Sequence, residues 1–136
     1  MMSELDGKYG LRICTSNDIE GDCGTTLPFI FNTPDKAVAF SAALASMKAI
    51  RPIDSDKHVY INWKPLLEKR GGHCDAMNPY LNERNMSLKL DLTCDSCKKT
   101  LDIIGRCVNV PLNPDWDEET VNEKIKTIAE SAKSLK

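Results

Sequence analysis

The stretch MSLKLDLTCDSCKKTLDIIGRCVNV, residues 86–110, decides how this chain is expected to fold. Leu88, Leu90 and Leu92 alternate with Lys89, Asp91 and Thr93, which is the two-residue period of a half-buried strand. Cys94 and Cys97 follow, and the Asp95–Ser96 pair between them suits a tight turn. The next residues, 99–110, read as a return strand whose phase changes at Ile103–Ile104–Gly105, as at a glycine-assisted bulge. The stretch therefore predicts a β-hairpin with a C-x-x-C pair at its tip, the geometry of a zinc knuckle. A short turn of that kind aims both sulfurs the same way, and tetrahedral Zn2+ then needs two more ligands.

A second pair of cysteines lies at the other end of the chain. YGLRICT (9–15) and TTLPFIFN (25–32) read as strands, with Cys14 and Cys23 in and beside the polar connection between them. Pro28 is expected to push the second strand to a sheet edge or a bulge. NTPDKAVAFSAALASMKAI then predicts a helix over 34–50, with Thr33 as N-cap, Pro34 in its first position and Asp35 complementing the dipole. Ala37, Phe40, Leu44 and Met47 form its buried stripe, and its alanine-rich other faces suggest more than one packing neighbour. A last helix is expected over 117–134, with Val121, Ile125, Ile128, Ala132 and Leu135 on one face.

Laid side by side, the two ends share a plan. CGTTL (23–27) and CKKTL (97–101) match in cysteine, threonine and leucine, and each precedes an N-P-D or N-T-P-D helix start. The expected fold is thus a single α+β domain over 1–136, built from antiparallel β-hairpins and two main helices. It reads as two ββα units, 9–50 and 86–136, joined by a connecting segment 51–85 and pinned by a zinc-ribbon-like hairpin. In that segment HVYINW (58–63) alternates as a strand, KPLLEKRGG gives one or two helical turns, and HCDAMNPYLNERNM is irregular.

Composition sets the functional classes. The 136 residues are 41% hydrophobic and 28% charged with net charge −2, an ordinary globular balance. The pI near 5.7 disfavours a strong non-specific grip on nucleic acid. The amino end lacks the basic start and apolar run of a signal peptide, and no apolar stretch approaches bilayer length. The expected location is the cytoplasm, where thiols stay reduced and six cysteines exceed what packing requires.

The expected metal is structural Zn2+ on Cys14, Cys23, Cys94 and Cys97, with His73, Cys74 and Cys107 as substitute ligands. Cys107 also reads as a small buried apolar residue, and His58 as an ordinary histidine. No phosphate-cradling glycine loop, H-E-x-x-H or nucleophile elbow is present, so no catalytic residue is assigned. A thiol enzyme or redox protein is the weakest reading, because redox C-x-x-C pairs sit at helix N-termini and this one lies between strands. The leading expectation is a non-catalytic, zinc-stabilised protein-binding module or accessory factor. Met77, Tyr80, Leu81 and Met86 in its irregular segment suit a partner protein. The alternative is nucleic-acid contact through Lys98, Lys99 and Arg106.

Overall fold

The strands form where the apolar period meets β-favouring residues. A computed structural model describes residues 4–57, 59–88 and 92–135. They gather into two compact units, Met1–Ile53 with Asp102–Lys136, and Asp54–Leu101. Together they are α+β: among the described residues there is one three-stranded antiparallel sheet and five α-helices.

The first unit holds the sheet. β1 (Leu11–Ile13) pairs with β2 (Thr26–Phe31), which pairs with β3 (Cys107–Pro111), in the order β1-β2-β3. Registers Leu11↔Phe31 and Phe29↔Val108 put Leu11, Phe29, Phe31, Val108 and Val110 on one buried face. α1 (Pro34–Ala43) and α5 (Glu118–Lys133) supply Ala37, Phe40, Ile128, Ala129 and Ala132 to the same core. Phe40 meets Phe29 edge-on at 5.3 Å and Phe31 at 4.9 Å between ring centroids, pairings that add to the area each ring buries.

Pro28 lies in the central strand, not at an edge. Residues alternate in which neighbour they bond, and Phe31 N–H donates to Arg106 on the β3 side. Pro28 therefore faces β1, and its carbonyl accepts from Cys14 N–H at 3.0 Å, just past the end of that strand. The bond proline cannot donate falls where the ladder stops, so the proline terminates the β1–β2 pairing and leaves β2–β3 intact.

Thr33 caps α1 by accepting from Lys36 N–H at 3.4 Å, with Pro34 in the first turn. Ala37, Phe40, Leu44 and Met47 are all buried, as their spacing predicts. The helix stops at Ala43, short of 50; a single 3-10 turn over Ala45–Met47 follows, and Lys48 takes a left-handed φ of 56°. α1 packs against β2, β3 and α5, more than one neighbour as its pattern suggests, while Ala39, Ala42 and Ala43 themselves are exposed. α5 begins at an Asp117 cap that accepts from Thr120 N–H at 2.8 Å.

The region around the C-x-x-C departs from expectation. Lys98–Gly105 is a helix, α4, and not a return strand. Leu101 and Ile104 recur at i, i+3, and Asp102 pairs with Arg106 at i, i+4 over 3.0 Å. What looks like a bulge in a strand is helical period. The second half thus contributes α4-β3-α5, and the ββα plan is not repeated. The strand expected over 86–93 is also absent where it is described. Met86 and Ser87 close α3 (Glu83–Ser87), which starts on an Asn82 cap, while Leu92 and Thr93 are irregular; residues 89–91 lie outside the described residues.

The second unit is a series of short turns. Tyr60–Asn62 is a single 3-10 turn, not a strand; α2 (Lys64–Leu67) follows, then 3-10 turns at Asp75–Met77 and Pro79–Leu81 before α3. Val59 is the only buried hydrophobic residue described in this unit, at 4% exposure. Among the described residues no helix is long and apolar enough to cross a membrane.

Candidate functional site

The C-x-x-C turn is built by backbone bonds and one distant side chain. Thr93 N–H donates to Ser96 Oγ at 2.8 Å, and Ser96 N–H returns a bond to the Thr93 carbonyl at 3.1 Å. The Tyr60 hydroxyl faces the carbonyls of Thr93 and Cys94 at 3.1 and 3.0 Å and accepts from Cys97 N–H at 3.2 Å. Residues 94–97 are therefore a fixed turn that runs directly into α4, with Cys94 and Cys97 both exposed and free. A turn at a helix start replaces the expected hairpin tip, so the ground for setting the redox reading aside, a C-x-x-C lying between strands, does not hold. Tyr60 carries no short-range signal of this role, because its partners lie more than thirty residues away.

The other expected ligands are divided between the two units. Cys14 and Cys23 flank the connection between β1 and β2 in the first unit, whereas Cys74, Cys94 and Cys97 belong to the second. Cys23 Sγ lies 4.0 Å from Thr25 Oγ1. His73 and Cys74 are exposed in the turn after Gly71–Gly72, and no hydrogen bond joins them among the described residues. His58 lies outside the described residues. Among those described, no three His, Cys, Asp or Glu side chains are gathered where they could hold one ion. A two-sulfur turn is what the structure presents.

Cys14 and Cys107 share the sheet face away from the core. Cys107 is half-buried, not fully buried, and donates its S–H to the Ile103 carbonyl at 3.3 Å. Desolvation raises its thiol pKa, and the nearby Cys14 raises it further against the lowering effect of Arg106. Cys14 is raised by desolvation, opposed by Arg12. Both effects hold these thiols in the protonated, less nucleophilic form.

The three cations expected to contact nucleic acid have different roles. Lys98 and Lys99 are exposed on the first turn of α4. Arg106 is half-buried and already bonded, through one nitrogen to the Phe31 carbonyl and through another to Asp102, each at 3.0 Å.

In the second unit asparagine side chains bond the backbone while large apolar side chains stand exposed. Asn78 accepts from Tyr80 N–H and donates to the Lys69 carbonyl, and Asn85 donates to the Pro79 carbonyl at 2.8 Å. Trp63, Met77, Leu81, Met86 and Leu88 meanwhile stand 43–66% exposed; Tyr80 is half-buried. Trp63, Leu66, Pro65, Pro79 and Tyr80 line an open cleft of about 620 Å³ in this unit.

No protein-family model matches the chain, and no curated protein matches it.

Proposed function

We propose that this chain is a small non-catalytic protein-binding module whose binding surface is the segment 54–101. One observation carries the reading: this segment buries a single described hydrophobic residue, Val59, while five large ones are exposed. A unit of that size gains little from its own core, and exposed methionine and tryptophan side chains are what protein interfaces bury. The asparagine bonds fix the backbone before a partner arrives, which lowers the ordering cost of association. The partner this fits is an apolar protein segment, met in the reducing cytoplasm where the six thiols stay free.

The test is a variant with Trp63, Met77, Leu81, Met86 and Leu88 all changed to glutamine. If these side chains form a surface, each change alters stability by no more than about 0.5 kcal/mol, and a stoichiometric partner that co-purifies with the natural chain is lost. If they are anchors of a core, unfolding free energy falls by several kcal/mol, on the order of 2 or more per residue, and the reading fails.

A second reading rests on the fixed 94–97 turn. We propose Cys94 and Cys97 as two thiolate ligands of a structural Zn2+, with Cys14, Cys23 or groups of the partner completing four-coordination. Native mass spectrometry of gently prepared protein, with and without Cys94→Ser, tests it: zinc absent from both ends this reading. Nucleic-acid contact is the weaker alternative, because Arg106 is already bonded within the fold and leaves Lys98 and Lys99 as the exposed pair.

A further inference from the structure

The first unit contains a cleft that the protein-binding reading does not use. Along α5, burial declines toward the N-terminus: Ile128 is 2% exposed, Ile125 is half-buried and Val121 is 37% exposed. Opposite them lie Leu27 at the start of β2, Met47 after α1, and Gly24, which contributes no side chain. The space between is about 330 Å³, at the small end of the range of ligand pockets and walled mainly by hydrocarbon. Trp116, in the turn before α5, forms one side as a half-buried ring.

The cleft has one charge. Lys124, half-buried on its wall, places Nζ 5.9 Å from the centre of the Trp116 ring and forms no ion pair among the described residues. An ammonium beside an indole is partly balanced by the ring's electrons but keeps its capacity for an anion. Asn113 lines the same cleft; its Oδ1 accepts from Asp115 N–H at 3.0 Å, which leaves its Nδ2 as the side chain's donor group. The acidic neighbours Asp115 and Asp117 are not among the lining residues, and Asp117 is engaged in capping α5.

We propose that this cleft binds a small amphiphilic anion: an apolar body carrying one carboxylate. The hydrocarbon seats against Leu27, Met47, Ile125 and Ile128, and the carboxylate meets Lys124 at the rim. Apolar walls supply affinity without direction, and the single cation selects the ligand end that faces it.

Trp116 is the reporter. The chain has two tryptophans, so Trp63→Phe leaves Trp116 emission alone. Decanoate is expected to shift that emission saturably, and decanol, of the same length without charge, to bind at least about tenfold more weakly, the ratio a charge-assisted bond supplies. Lys124→Gln in the same background is expected to weaken decanoate by a similar factor, to leave decanol unchanged and to keep the circular dichroism spectrum. Val121→Phe, which fills the cleft from an exposed position, is expected to weaken both. No saturable response to decanoate, equal affinity for decanoate and decanol, or decanoate binding unaltered by Lys124→Gln would each overturn the proposal.

Discussion

The hydroxyl of Tyr60 accepts a hydrogen bond from the amide of Cys97 at 3.2 Å, across thirty-seven positions of sequence. The same oxygen faces the Cys94 carbonyl, so one phenol holds both ends of the cysteine turn. Tyr60→Phe removes this tie and little else. Because the turn is exposed, water replaces the lost partner, and the expected cost is about 0.5–1.5 kcal/mol. Amide exchange at Cys97 should accelerate while exchange in β2 is unchanged. Equal exchange at Cys97 in both proteins would show that the hydroxyl does not order the turn.

Phe40 is fully buried against Phe29 and Phe31. Phe40→Ala leaves a cavity at the centre of the only extended core described and is expected to cost about 3–5 kcal/mol. Urea unfolding followed by circular dichroism measures it. A cost below about 1 kcal/mol would mean that α1 does not pack on the sheet through this ring.

Asp117 carries a sign-defined pH dependence. The Thr120 side chain and then its backbone N–H hold this carboxyl below its ordinary value of 3.8. A carboxylate depressed in the folded state stabilises the fold above its unfolded pKa, and that contribution is lost as pH falls through the folded pKa. Asp117→Asn keeps a capping oxygen but cannot titrate. The difference in melting temperature between the two proteins should therefore be constant near neutrality and change only as the solution is acidified below 3.8. A difference that instead varies between pH about 6 and 8 would assign the effect to another group.

Cys107 should be the slowest thiol to react. It is half-buried, its S–H is bonded to Ile103, and desolvation and Cys14 both raise its pKa. Alkylation under native conditions, read by peptide mass spectrometry, is expected to leave Cys107 largely unmodified when Cys23 and Cys74 are complete, since both are exposed. Arg12→Ala should slow Cys14 further by removing the charge that favours its thiolate. Cys107 labelling as fast as Cys23 would contradict the half-buried geometry.

Much of the first unit is legible in local residues. Thr33 announces a helix start because the donor it satisfies lies three positions ahead, whereas Asp117, read as the first residue of the last helix, is in the structure its cap. Phe29 and Phe31, or Val108 and Val110, show the strand period directly. The cysteine region misleads because Leu101, Ile103 and Ile104 form a short apolar run that fits a strand or a helix. Its flanking leucines at 88–92 alternate as a strand would, yet Asn82 captures the preceding residues up to Ser87 in a helix.

By itself the sequence determined the elements whose caps and apolar periods close within a few residues: β1, β2, α1 and α5, and with them an α+β fold that buries Phe40. Tertiary structure alone decided that Lys98–Gly105 is helical, that Pro28 sits in a central strand, and that Tyr60 ties the cysteine turn. These outcomes depend on partners far away along the chain, as when Arg106 bonds the Phe31 carbonyl across seventy-five positions. Local propensity differs between helix and strand by only about 1 kcal/mol or less per residue, so such long-range bonds and the burial around them choose between the two.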